Sequence, residues 1–362
     1  MDKSKVIASG YEIELSEACK EIVEYARNNL KKQSPSVMIE APPGLIQFLS
    51  IVKQNLAECT AKYNLKTKTL IRIDPAYGSC DIGLDYALHS SIDIIVHIGH
   101  ARYPYQYVVN NQYLDLESLE RVAKVRIIFV KAEYIGGIRD YIGDLLAALR
   151  ENNIKRTAIG FTAQHTKLAE KIATELSRKN IRVLARSIVL GCHYYGITKF
   201  SKEVDGFIVI SGGVFHPLGL GLATRAEKPI LHLDPYSPKI TDIRGEVERL
   251  LKKRYLTILK ALDAQSFAII VGFKLGQYRP WIVNHLIRLA SMRRKKVSLL
   301  ASNIINREYL DNLNPYDYDA YIITSCPRIA IDDLGDYWKP VLTPGEARMV
   351  LTKKLENYLF PW

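Results

Sequence analysis

Residues 205–211, DGFIVIS, run from an acidic residue through glycine and four apolar residues to a small polar one. An uninterrupted apolar run of this length, bounded by polar residues, reads as a strand buried on both faces, the habit of parallel sheets. The phrase recurs as DIIVHIG at 93–99 and DAYIITS at 319–325. Working outward, each copy is preceded by a strand, a helix and a second strand. The first strands are SVMIEAP (36–42), TAIGFTA (157–163) and FAIIVGF (267–273). The helices are GLIQFLSIVKQNLAEC (44–59), KLAEKIATELSRK (167–179) and PWIVNHLIRLASMRR (280–294), and the second strands are TLIRID (69–74), RVLARSIV (182–189) and VSLLAS (297–302). This threefold repeat predicts βαβ crossovers of right hand and parallel sheets. The expected fold is α/β, with three similar βαβ-type domains arranged around a pseudo-threefold axis. Crediting each long tail, 125–153 and 229–262, to the copy before it gives domains 1–153, 154–262 and 263–362. Near the end, Thr343, Pro344 and Glu346 form a capping-box pattern with a first-turn proline, which predicts a closing helix.

Composition narrows the class. Hydrophobic residues at 48% and charged residues at 24% match ordinary globular usage and exclude disordered and fibrous chains. No apolar run reaches the roughly 18 residues of a membrane span, and residues 1–22 lack the apolar core of a signal peptide, so a cytoplasmic location without membrane attachment is expected. The formal net charge of +12 is spread along the chain, and its densest cluster, Arg293 to Lys296, reads as a solvated helix end. No RNA-recognition or zinc-knuckle pattern accompanies it, so direct nucleic-acid binding is not expected.

The five cysteines fall into two groups. An odd count argues against a disulfide framework. Cys19 shares a helical face with Leu15, Ile22 and Ala26, and Cys59 with Val52, Leu56 and Tyr63, so both are expected to act as small core hydrophobes. Cys80, Cys192 and Cys326 instead follow strand-like runs beside turn-forming or polar residues: LIRIDPAYGSCD, VLARSIVLGCHYYG and AYIITSCPR. Ligands of α/β folds bind beyond the carboxyl ends of parallel strands, so these three are the candidate metal ligands. Asp93 and Asp205 lie 13 residues after Cys80 and Cys192, but Cys326 lies seven residues after Asp319. Cys326 therefore follows the third strand of its copy, whereas the other two follow the second. Domain packing, rather than strict symmetry, would have to bring the thiolates together.

Structural zinc usually takes four ligands, commonly in closely spaced cysteine pairs, and no such pair occurs. A 4Fe-4S cluster can take three cysteines and leave one iron open to substrate, which favours catalysis over simple electron carriage. The stretch VISGGVFHPLGLGLA offers Gly212, Gly213, His216 and Gly219 between a strand and a helix, where backbone amides suit a carboxylate. Gly99 and His100 in HIGHARYP, and Lys274, Gly276 and Gln277 in FKLGQYRP, hold matching places. None is an ordered nucleotide motif, and tight-turn packing explains each glycine equally well. Both histidines also fit the description of hydrogen-bonded core residues.

Together YGSCD, VHIGHARYP, VLGC, SGGVFHPLGLGLAT with HLDPY, FKLGQ and TSCPRIAIDD resemble, in order from about Val37 to Asp333, the archaeal 2-(3-amino-3-carboxypropyl)histidine synthase family of diphthamide biosynthesis. The resemblance implies a 4Fe-4S cluster on Cys80, Cys192 and Cys326, one ligand per domain, and a homodimer. It also implies radical use of S-adenosylmethionine without a CxxxCxxC motif, which is absent here. The 3-amino-3-carboxypropyl group would pass to a histidine of translation elongation factor 2, releasing 5′-methylthioadenosine, with electrons from a donor of unknown identity. Gly99, His100, Gly212, Gly213, His216, Gln277 and Arg328 are the candidate S-adenosylmethionine contacts; Arg328 alternatively pairs with Asp332 or Asp333. Two other classes share the cluster: a quinolinate synthase-like Lewis-acid enzyme, and a non-catalytic electron-transfer subunit.

Overall fold

The computed structural model describes residues 5–31, 33–136, 141–237, 239–314 and 316–362. These form two units. The first comprises Met1–Ile138, Ala163–Thr166 and Lys274–Gly276, and the second the remainder.

In the first unit Lys5–Ala8 (β1) and Tyr11–Glu14 (β2) form an antiparallel hairpin leading into helix α1 (Ser16–Tyr25). The first copy follows as β3 (Ser36–Glu40), α2 (Leu49–Ala61), β4 (Lys68–Ile71), α3 (Leu84–Ser90) and β5 (Ile94–Ile98). A hairpin, β6 (Tyr107–Val109) and β7 (Gln112–Leu114), then leads through α4 (Leu116–Ala123) to β8 (Arg126–Val130) and β9 (Ala132–Tyr134), which pairs with β2. The main sheet is parallel, in the order β4-β3-β5-β8. Val37, Ile39 and Val96 pack with Leu49, Val52 and Ile22 on one face, while Met38 and Ile95 pack with Leu84 and Leu119 on the other. Both faces being covered, the inner strands β3 and β5 are buried nearly throughout, whereas the edge strand β4 alternates between exposed and half-buried residues.

The second unit contains the other two copies. One is α5 (Ile142–Glu151), β10 (Arg156–Phe161), α6 (Thr166–Arg178), β11 (Arg182–Ile188), α7 (Tyr195–Thr198), β12 (Gly206–Ile210), α8 (Phe215–Thr224), β13 (Ile230–Leu233) and β14 (Ile240–Asp242). Its sheet runs β11-β10-β12-β13-β14, parallel except for β14. The other is α9 (Arg244–Ala261), β15 (Ser266–Gly272), α10 (Pro280–Met292), β16 (Lys296–Ser302), α11 (Arg307–Asp311), β17 (Ala320–Ile323), β18 (Val341–Leu342) and α12 (Pro344–Thr352), with a parallel sheet β16-β15-β17-β18. The expected capping box is present: Thr343 accepts from the Glu346 amide at 3.3 Å and Glu346 accepts from the Thr343 amide at 2.8 Å.

All three sheets thus share the order second, first, third, fourth strand, so the chain reverses direction across each sheet between its first and third strands. Crevices of α/β folds open at such points. The repeated aspartates have a structural role beneath them. Asp93 accepts from the Ser36 amide at 2.9 Å, Asp205 from Lys155 and Arg156 at 3.1 and 2.8 Å, and Asp319 from Gln265 and Ser266 at 2.8 and 2.9 Å. Each staples the start of its third strand to the start of the first.

The tail helices pack as follows. Leu145 and Leu149 of α5 pack on Ile159, Ile208 and Leu231 of the second copy, within the second unit. In α9, Val247 packs with the second copy, but Ile258 and Ala261 pack with Phe267 and Ile269 of the third. Helix α5 therefore packs on the following copy, and α9 bridges the second copy and the third.

Candidate metal centre

In the first unit Cys80 lies in the loop after β4, half-buried. Its carbonyl accepts from the Gly276 amide at 2.8 Å, and a Cβ on Gly276 would fall 2.7 Å from the Cys80 Cα. Tyr103 donates to the Gly276 carbonyl at 2.6 Å, and buried Tyr107 to the Ser79 carbonyl at 3.2 Å. Burial first, and then Cys80, raises the Tyr107 pKa, so its phenol remains a proton donor. Lys274 pairs with Asp81, which also receives Arg72 at 3.2 Å, and Arg72 meets Glu40 at 2.9 Å. These charges are buried but mutually compensated, which fixes the Cys80 loop from beneath.

His100 ends a second line of contacts. Buried Glu40 meets His97 Nδ1 at 2.6 Å, and His97 Nε2 meets His100 Nδ1 at 2.9 Å. Burial alone would raise the Glu40 pKa, but His97 and Arg72 outweigh it and hold the carboxyl anionic. With His97 donating from Nδ1 to that carboxylate, its Nε2 accepts from His100 Nδ1. The His100 tautomer so assigned presents Nε2 as a proton acceptor. Gly99, at φ +83°, accepts from Gln164 at 2.7 Å and makes the turn that sets His100 after β5.

In the second unit Cys192 sits in a tight turn closed by two 3.0 Å bonds between Leu190 and His193. A Cβ on Gly191 would fall 2.2 Å from the Phe215 ring, so glycine lets the turn lie against α8. Burial lowers the His193 pKa, favouring the neutral imidazole. Cys326 follows β17 and accepts from the Ile329 amide at 3.2 Å. Buried Arg279 donates to the carbonyls of Gln277, Thr324 and Ser325 at 3.2, 3.3 and 3.1 Å and stacks on Trp362 at 4.3 Å. Arg279 gathers the first- and third-strand loops, a role its sequence neighbours gave no sign of.

The remaining predicted residues divide. Gly212 is covered by the Tyr236 ring, 2.6 Å from a notional Cβ, and Gly213, at φ +66°, donates its amide to Asp234 at 3.0 Å. That Gly213 amide is therefore committed to a carboxylate of the chain itself. His216 lies in the first turn of α8, edge-on to Phe215 at 5.5 Å. Gln277 is buried beside the Arg279 clamp. Arg328 pairs with Asp332 at 3.2 Å and Asp333 at 3.3 Å, which realises the alternative reading of that residue.

Cys19 and Cys59 require a correction. Expected as separate apolar thiols, they form a disulfide with Cα atoms 6.3 Å apart, because α1 and α2 pack side by side. Each helical stripe was visible alone; that the two face each other was not. Cys80, Cys192 and Cys326 stand outside this bond. Among the described residues no group of three or more His, Cys, Asp and Glu side chains forms a ready-made metal site. Within the second unit, however, Cys192 and Cys326 both act electrostatically on Tyr194.

The donor set nevertheless suits a sulfur-rich group. Ser79, Tyr194 and Ser325 are buried, stand next to or two residues from the three cysteines, and have hydroxyls with no hydrogen-bond partner. A buried polar group left unpaired costs about 1–3 kcal/mol, so each place calls for an acceptor. A thiolate-held iron–sulfur cluster supplies acceptors of that kind.

A family model described as "Putative diphthamide synthesis protein" matches residues 41–359. The chain belongs to the diphthamide synthesis family. A relative from Pyrococcus horikoshii named 2-(3-amino-3-carboxypropyl)histidine synthase, a transferase, is 29% identical over 324 residues, covering 90% of this chain and 87% of the relative. One of the same name from Methanocaldococcus jannaschii is 26% identical, covering 96% and 92%. The crystal structure of Dph2 from Pyrococcus horikoshii with a 4Fe-4S cluster superposes with a TM-score of 0.74 at 27% identity, covering 94% of this chain and 92% of that one. Diphthamide synthesis proteins thus share the α/β fold of mostly parallel sheets seen here. No described helix is long and apolar enough to cross a membrane.

Proposed function

We propose that this chain is a 2-(3-amino-3-carboxypropyl)histidine synthase that holds one 4Fe-4S cluster on Cys80, Cys192 and Cys326. The observation that carries this is the setting of those cysteines: each lies beyond the carboxyl end of a parallel strand, and each has an unpartnered buried hydroxyl beside it. Three thiolates for four irons leave one iron to the co-substrate. When bound, the cluster supplies the electron that cleaves the sulfonium–γ-carbon bond of S-adenosylmethionine, giving a 3-amino-3-carboxypropyl radical for transfer.

The chain's residues orient and exclude. The Gly276–Cys80 contact and the Arg279 clamp fix the loops that carry Cys80 and Cys326. Gly99, His100, Gly212, Gly213, His216, Gln277 and Arg328 are the proposed contacts of S-adenosylmethionine; Gly213 contributes through its turn, and Arg328 from its ion pairs with Asp332 and Asp333. Replacing an imidazole C–H by C–C while methylthioadenosine departs releases one proton overall and gives back the one electron used to cleave the sulfonium, so there is no net reduction. His100 Nε2, backed by His97 and anionic Glu40, can hold the proton. The acceptor is a histidine of translation elongation factor 2, the enzyme works as a homodimer in the cytoplasm, and an external donor reduces the cluster.

The test is anaerobic incubation of the purified, chemically reduced chain with S-adenosylmethionine and elongation factor 2. The expected products are 5′-methylthioadenosine and a factor heavier by one aminocarboxypropyl group. A loaded chain that yields neither product would leave the electron-transfer subunit as the better account.

A further inference from the structure

Tyr194 is 5% exposed and packs among Val209, Leu220 and Val247, yet its hydroxyl has no hydrogen-bond partner. Phenylalanine would fill an apolar site without that penalty. Room has been made for the oxygen: a Cβ on Gly219 would fall 2.1 Å from it, so glycine in α8 is what allows the hydroxyl to sit there. After burial, Cys192 and Cys326 are the two side chains that act electrostatically on this hydroxyl. They come from different copies within one unit, so the hydroxyl lies within electrostatic reach of both candidate ligands.

We propose that the Tyr194 hydroxyl donates a hydrogen bond to the sulfur shell of the cluster at Cys192 and Cys326 and thereby raises its reduction potential. This rests on the cluster assignment above. A donor at sulfur stabilises the more negative, reduced state more than the oxidised one. Tyr194 is a positioning and tuning residue: it neither ligates nor takes up the transferred group. Ser325, buried beside Cys326 with an unpartnered hydroxyl, is placed for the same kind of bond, and Gly272 makes its room: a Cβ there would fall 2.5 Å from the Ser325 Cβ and 3.2 Å from its hydroxyl oxygen.

The test is a redox titration, followed by electron paramagnetic resonance, of the anaerobically reconstituted full-length wild type, Tyr194→Phe and Gly219→Ala. Both variants are expected to carry wild-type iron and sulfide. At a fixed potential their ratio of reduced to oxidised cluster should fall about tenfold, equivalent to about 59 mV for a one-electron couple. In the cluster-free chain the effect of Tyr194→Phe reverses: it removes an unpaired hydroxyl and should leave stability unchanged or higher, an outcome that loss of packing would not produce. Gly219→Ala keeps the tyrosine but displaces its oxygen, so it decides the matter if the phenylalanine variant fails to load. Loaded variants titrating with the wild type would overturn the proposal and indicate a water as the hydroxyl's partner. A wild type that takes up no iron or sulfide would instead defeat the cluster assignment, and the proposal with it.

Discussion

Gly276 shows how closely the Cys80 loop is held, since any side chain there would meet the Cys80 backbone at 2.7 Å. Backbone cannot give way as a flexible side chain can, so Gly276→Ala is expected to displace Cys80 and lower bound iron, measured against wild type after identical reconstitution. Asp205 shows the same specificity in a titrating group. Hydrogen bonding from Arg156, reinforced by the Arg156 and Lys155 amides, holds its carboxyl below the usual range despite partial burial. A depressed folded pKa contributes stability above the unfolded value of about 3.9 and loses it as pH falls through the folded value. Asp205→Asn should therefore flatten the fall in stability below about pH 4, read from urea midpoints across pH. At this scale the three cysteines stood out as candidates because each follows a strand-like run and lies beside turn-forming or polar residues. Arg279 and Tyr194 were not, because their meaning lies in contacts with Thr324, Ser325 and Gly219, far away in sequence.

Among elements, the strands were the most legible part, because burial on both sheet faces leaves continuous apolar runs bounded by a recurring aspartate. Helix partnership was harder to see. Helix α5 serves the copy that follows it, α9 lies between the second copy and the third, and the α1–α2 pairing that joins Cys19 to Cys59 left no mark in either stripe. An amphipathic pattern says that a helix has an apolar face, but not which sheet it covers. The tie between α9 and α12 is the buried pair Arg254–Glu346, bonded at 2.7 and 2.6 Å, with Tyr358 donating to the same carboxylate at 2.6 Å. Arg254 also caps the carbonyls of Ala330 and Val341, so it holds the segment after Cys326 against both helices. Arg254→Met strands the Glu346 carboxylate in the core and should cost about 3–5 kcal/mol in a denaturant titration. Adding Glu346→Gln should recover part of that loss, since the charge is then removed with its partner.

Across the whole chain, the three sheets of identical strand order carry Cys80 in one unit and Cys192 and Cys326 in the other. Parallel pairing puts the ends of the second and third strands on the same edge of each sheet. The offset of Cys326 to a third strand therefore still leaves it on the edge where the crevice opens. The family match spans both units, and the relatives it joins are named for one activity. The central claim is that three cysteines, far apart in sequence, share one cluster, while the disulfide pair takes no part. Iron and sulfide content after anaerobic reconstitution tests it most directly, measured on wild type and five single alanine variants. The account predicts about four of each per wild-type chain, severe loss in Cys80→Ala, Cys192→Ala and Cys326→Ala, and wild-type content in Cys19→Ala and Cys59→Ala. Equal iron in all five variants would contradict it.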